Sequence, residues 1–180
     1  KKAYGSIEDA TLHTTSYNGF GEECITAIEA INITQEENFR DKSLKIEKIV
    51  NERCKKLMRE FGNQVSECKG KGSLHGIFLK TDTRFGKILS VLPLNLTKDK
   101  KFLPKLMAAA ISDWLFKNYK IYVLFSTTEN VALLFAPSLI IDEKEINYFF
   151  DSLESAFEKG IWKIVAKFSS KQFSQNINFD

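Results

Sequence analysis

The stretch from Phe39 to Gly62 constrains the fold more than any other part of the sequence. Phe39, Ile46, Ile49, Val50, Cys54, Leu57, Met58 and Phe61 recur mostly at spacings of three, four and seven, which gives a helix one apolar face and one almost wholly charged face. That helix must lie on another layer. Thr34 and Glu37 have the spacing of a capping box, which predicts the helix start, and Gly62 is placed to supply a left-handed residue just past its end. The opposite, Lys/Glu-rich face reads as a solvated surface laced with i,i+4 pairs.

After Gly62 the period changes. Val65 to Cys68, Leu74 to Lys80 and Lys87 to Leu92 are short apolar or β-branched runs, separated by Gly70, Gly72, Gly86 and the turn residues Thr81-Asp82-Thr83-Arg84. This predicts an antiparallel meander. Helical spacing returns from Asp99 or Lys100 to Tyr119 through Leu103, Leu106, Met107, Ala110, Ile111, Trp114 and Leu115, with Pro104 tolerated in the first turn. Ile121 to Phe125 and Val131 to Ala136 then read as two strands around a polar turn, and Pro137 stops the second. Asp142 and Glu145 form a capping box for a helix carrying Ile146, Phe149, Phe150, Leu153 and Phe157, ended by Gly160. Ile161 to Phe168 is a short amphipathic segment that docks on the body, and the polar residues beyond Ser169 are expected to fray. Upstream, Cys24, Ala27, Ile28 and Ile31 mark a first helix from about Gly21 to Ile31, with Glu22 and Glu23 at its positive end. Strands punctuated by helices without strict alternation give an α+β fold, a two-layer sandwich of a small, mostly antiparallel sheet with helices on one face.

Composition narrows the function. A chain of 180 residues that is 43% hydrophobic and 27% charged is an ordinary globular domain, able to bury a core without metal or disulfide staples. Its 26 basic and 23 acidic side chains are nearly balanced, and Lys alternates with Glu and Asp instead of gathering on one face, which argues against nucleic acid as a partner. No apolar run approaches the roughly 20 residues of a membrane span. The amino end lacks a signal-peptide pattern. Cys24, Cys54 and Cys68 are odd in number and widely spaced, and read as packed free thiols. A soluble, cytoplasmic protein is the expectation.

Few residues carry chemistry on their own. His13 and His75 are the only histidines, and neither has companion ligands at metal spacing. Cys24 with His13 has no supporting nucleophile signature. Lys69-Gly70-Lys71-Gly72-Ser73 lacks the spacing of a phosphate loop and reads as a solvated turn between strands. His13-Thr14-Thr15-Ser16-Tyr17-Asn18-Gly19-Phe20-Gly21 is the better candidate: hydroxyls, glycines and backbone N–H groups precede a helix start, a natural anion site.

The order of these pieces resembles the C-terminal portion of class III aminotransferases, fold-type I enzymes that use pyridoxal 5′-phosphate. The likeness rests on Ala3-Tyr4-Gly5-Ser6-Ile7-Glu8-Asp9; on the stretch from Leu12 to Gly21 with Cys24-Ile25-Thr26-Ala27-Ile28; on Gly70-Lys71-Gly72-Ser73-Leu74-His75-Gly76-Ile77-Phe78-Leu79; and on Phe135-Ala136-Pro137-Ser138-Leu139-Ile140-Ile141-Asp142. It covers nearly the whole chain. It implies residues 1–20 as an interface or large-domain remnant, 21–168 as the small domain and 169–180 as a polar tail.

By the same resemblance, Ser16 stands where the family has a Thr that binds the cofactor phosphate of the partner subunit, with Thr15 as the alternative donor. The Schiff-base lysine, the Asp that pairs with the pyridine nitrogen and the glycine-rich phosphate loop belong to upstream parts of the family, so no catalytic residue is assigned. An Arg that holds substrate carboxylates in many members is replaced here by Leu134. The implied parent moves an amino group between an amine and a carbonyl compound as a homodimer, with an upstream catalytic domain as partner of this chain. A binding or dimerisation module without the chemistry, and a domain of a pyridoxal-phosphate-dependent aminomutase, are the alternatives.

Overall fold

The computed structural model describes residues 21–81, 102–127 and 130–175. Backbone contacts divide the chain into two compact units, 1–39 and 40–180. In the first, helix α1 spans Gly21–Glu36 with Glu22 and Glu23 in its first turn. It runs past the expected end at Ile31. Thr34 lies inside it and donates its hydroxyl to the Ala30 carbonyl at 2.6 Å, so it caps nothing. The break comes at Asn38, whose φ of 48° lies in the left-handed region that Asn tolerates better than most residues. None of α1 is buried, and its apolar stripe is exposed, with Ile25 at 70%.

The second unit holds the core. Helix α2, Phe39–Glu60, buries Ile46, Val50, Cys54 and Leu57 on the face that the spacing predicts. It ends in a turn in which the Gln64 and Val65 amides both donate to the Phe61 carbonyl. Gly62 does not adopt a positive φ there. A Cβ at that position would come within 2.7 Å of the Met58 carbonyl oxygen, so glycine is required for space, not for handedness.

Strands β1 (Val65–Lys71) and β2 (Leu74–Leu79) form a hairpin closed by Gly72 and Ser73, with Gly72 at φ 60°. The solvated-turn reading of Lys69 to Ser73 holds at that site, with one addition: the Gly72 amide donates to the Glu47 carboxylate of α2 at 2.8 Å. Helix α3, Phe102–Tyr119, follows, with Pro104 in its first turn as expected. Strand β3 is only Leu124–Phe125, shorter than the predicted run, and β4 is Ala132–Phe135. The sheet is antiparallel in the order β1-β2-β4-β3. The predicted strand from Lys87 to Leu92 lies outside the described residues.

Helix α4, Glu143–Lys159, starts at the capping box predicted from sequence: Glu145 N–H donates to Asp142 Oδ1 at 2.7 Å and Asp142 N–H to Glu145 Oε2 at 3.2 Å. Gly160, at φ 88°, separates it from α5, Ile161–Gln175. The expected short tail is thus a full helix with Ile161, Ile164 and Val165 buried.

Among the described residues, one sheet face is packed under helices and the other carries no helix. His75, Ile77, Leu133 and Phe135 alternate onto the packed face and are buried there. Phe135 touches the Phe149 and Phe150 rings of α4, at 5.0 and 5.8 Å between centroids. Of the three cysteines expected as packed thiols, Cys54 of α2 is buried and Cys68 of β1 half-buried, whereas Cys24 is exposed on α1. Arg53 of α2 ties the outer sides of the two helices together, donating to Asn147 at 3.1 Å and to Asp151 and Glu154 at 2.5 and 2.9 Å. The result is the α+β arrangement expected from the sequence.

Candidate functional site

Ser16, Thr15 and His13 lie outside the described residues. The other two stretches that carry the family resemblance, Gly70–Leu79 and Phe135–Asp142, are far apart in sequence, yet the sheet makes them neighbours. His75 pairs with Phe135 and Gly76 with Leu134 across the β2–β4 ladder. Leu134 in turn pairs with Leu124 of β3.

These pairs alternate between faces. Leu134, Gly76 and Leu124 share the open face with Phe78 and Ala132, bordered by a Glu67–Lys69 ion pair at 2.9 Å. Leu134 is half-buried, and Leu124 is 57% exposed. Gly76 contributes no side chain between them; a Cβ there would press on the Ala132 methyl at 3.2 Å. The surface is therefore apolar around Leu134. It can hold a nonpolar group, but Leu134 offers nothing that would pair with a carboxylate.

Behind it, His75 is 2% exposed, and neither ring nitrogen has a hydrogen-bond partner among the described residues. Desolvation pushes its pKa below the usual histidine range, against a smaller upward pull from Glu47. Gly70 lies directly opposite, where a Cβ would collide with the Leu74 carbonyl oxygen and the His75 backbone as well as with the ring. The glycine and the imidazole occupy one space between them. This is a packed, neutral histidine with no metal companions: no group of three His, Cys, Asp or Glu capable of holding a metal occurs among the described residues.

A hollow of about 340 Å³ opens elsewhere, between α2 and the segment leading into α4, lined by Ile46, Ile49, Leu139, Ile141 and Ile146 with Lys45 at its border. None of its lining belongs to the sheet. Sequence reasoning did not find it, because it depends on how α2 and residues 139–141 approach each other.

The arrangement has solved counterparts. A transaminase from the marine bacterium Virgibacillus superposes with a TM-score of 0.61 at 19% identity, over 87% of this chain and 31% of that one. An aminotransferase from Bacillus anthracis gives 0.58 at 22% identity, over 88% and 33%. The adenosylmethionine-8-amino-7-oxononanoate aminotransferase of Methanocaldococcus jannaschii gives 0.59 at 23% identity, over 88% and 32%. The chain has a transaminase fold. It spans about a third of the length of these transaminase chains. No family model matches the sequence, and no curated protein does.

Against the cofactor of such enzymes the described residues offer only a partial fit. A lysine that carries pyridoxal phosphate needs a desolvated setting to act as an amine nucleophile. Every lysine within residues 21–81, 102–127 and 130–170 is at least partly exposed. No described helix is long and apolar enough to cross a membrane.

Proposed function

We propose that this chain is the C-terminal small domain, with a piece of the subunit interface, of a class III-type aminotransferase that moves an amino group from an amine donor to a carbonyl acceptor. In such an enzyme pyridoxal 5′-phosphate serves as the electron sink. The shared transaminase fold over 87–88% of the chain is the observation that carries the reading. In it, the chain lacks the cofactor-bearing lysine, which an upstream catalytic domain of the same polypeptide supplies, and the complete enzyme works as a homodimer in the cytoplasm.

The part assigned to this chain is positioning. The Ser16 hydroxyl, with Thr15 beside it, holds the cofactor phosphate from the partner subunit. Glu22 and Glu23 already occupy the first turn of α1 and complement its positive end, so the phosphate is held by the hydroxyls ahead of the helix instead of by the helix end itself. In this reading the apolar surface around Leu134 lies on the substrate side and selects a nonpolar tail over a carboxylate. In a polypeptide that joins this chain to its catalytic domain, Ser16→Ala should weaken cofactor retention on dialysis about tenfold or more, the loss expected for one hydrogen bond to a charged group. Unchanged retention would remove the phosphate role.

One observation favours a second reading, a binding or dimerisation module that kept the fold and lost the chemistry: Ile25, Ile28, Ile31 and Ile33 are all exposed along α1. A dimer of the chain in sedimentation that Ile28→Lys dissolves supports the module, and a monomer at all concentrations argues against it.

A further inference from the structure

The isoleucine stripe of α1 and the hollow beside α2 have no part in the transaminase reading. On α1, Ile25, Ile28 and Ile31 follow one another at three-residue spacing, and all three are exposed. Glu22 and Glu29 lie three before and four after Ile25, and Glu36 continues the same seven-residue spacing. They therefore form a carboxylate row along the Ile25 side of the stripe. The helix also carries Glu23, and it has no Lys or Arg.

The hollow has the complementary character. Ile46, Ile49, Ile141 and Ile146 give it apolar walls, and Lys42 and Lys45 stand on its α2 side, against one carboxylate, Glu143, on its α4 side. Lengths agree as well: Ile25 to Ile31 spans about 9 Å of helix and Lys42 to Ile49 about 10 Å. A helix that docks in a groove presents apolar anchors at three- and four-residue spacings to a matching apolar lining. The chain supplies both halves of such a contact, with opposite charges beside each.

We propose that α1 of one copy seats Ile25, Ile28 and Ile31 in the hollow of a second copy, with its row of Glu22, Glu29 and Glu36 toward Lys42 and Lys45, and that the second copy returns the same contact. Reciprocal exchange closes a two-fold dimer, whereas a one-way contact would extend into open chains. The inference rests on the second reading above, a chain that dimerises, and names the surface that α1 takes.

The test is sedimentation equilibrium of the 180-residue chain with two variants at exposed positions, Ile28→Lys in the stripe, 58% exposed, and Ile140→Glu at the lip of the hollow, 75% exposed. Neither position is needed to fill the core. Each variant alone should weaken dimerisation about tenfold or more, by losing an apolar contact and setting like charges against each other. Mixed in equal amounts, the two should dimerise again. The mixed dimer keeps one native contact and brings the introduced lysine and carboxylate together in the other. A dimer lost in Ile28→Lys but untouched by Ile140→Glu would place α1 on another surface, and would overturn this contact while leaving the dimerising module. A mixture that stays monomeric would overturn it in the same way. A wild-type chain that is monomeric at all concentrations, the outcome if an upstream domain covers these surfaces, would overturn both.

Discussion

Gly76 and Leu134 stand directly opposite each other on the open face of the sheet, while their sequence neighbours His75 and Leu133 point into the core. A change of one position in β4 therefore means a change of solvent. Leu133 is fully buried. Leu133→Arg should cost more than about 4 kcal/mol, because it places an unpaired charge in the core. Leu134→Arg should cost under about 1 kcal/mol. Urea unfolding of the two variants checks the difference, and equal losses would mean the two faces are misassigned.

Gly70 and His75 share one space, with no room for a Cβ on the glycine. Gly70→Ala is expected to lose about 1–3 kcal/mol through overpacking against the Leu74 carbonyl and the His75 backbone and ring. His75→Ala should restore part of that loss in the double variant, since it removes the obstructing imidazole. A thermal double-mutant cycle reads the coupling; additive losses would show that the contact has no energetic weight.

The same histidine sets a pH dependence. Its folded pKa is depressed, so folding takes no account of it above its ordinary value of 6.5, where it is neutral in both states. As pH falls through about 6.5, the unfolded chain gains a proton that the folded chain refuses, and stability declines until the folded pKa is passed. Glu47, the carboxylate acting on the ring, softens the decline. Urea midpoints between about pH 8 and pH 5 should fall for the native chain and flatten in His75→Phe; an equal fall in both would assign the effect elsewhere.

Gln64 bridges the junction of the last two helices. Its amide donates to the Phe157 carbonyl at 3.0 Å and accepts from the Ile161 amide at 3.2 Å. Gln64→Leu leaves the Ile161 N–H unpaired and takes one of two donors from the Phe157 carbonyl, which keeps the Gly160 N–H at 3.0 Å, and should cost about 1–3 kcal/mol. Hydrogen exchange should locate the loss: the Ile161 amide is expected to lose protection more than the amides of β4, and uniform loss along the chain would contradict a local role.

The readability of this fold followed the range of the interactions. Asp142 and Glu145 announced the α4 start because a capping box is local and needs no tertiary partner. Thr34 and Glu37 show the same spacing, but α1 continues through Thr34 and breaks at Asn38, a choice between two local options that residue types alone do not decide. Gly62 was assigned to the right turn for the wrong reason, since what it avoids is the Met58 carbonyl. The exposure of the α1 stripe and the hollow beside Ile46 both depend on what lies across from each residue, which periodicity does not report. For the candidate site, the residue at position 134 was legible, but its face was fixed only by its pairing with Gly76. Ser16 and Thr15 rest on the resemblance alone.

The central claim is a transaminase-fold domain that helps to hold pyridoxal phosphate without carrying it. Titrating the 180-residue chain with pyridoxal 5′-phosphate, reducing with borohydride and weighing the product by mass spectrometry tests it most directly. The account predicts only scattered, non-saturating labelling of surface lysines, and a single saturated site when the chain is part of the polypeptide with its catalytic domain. One lysine of the isolated chain labelled stoichiometrically, with a matching absorbance band, would contradict it.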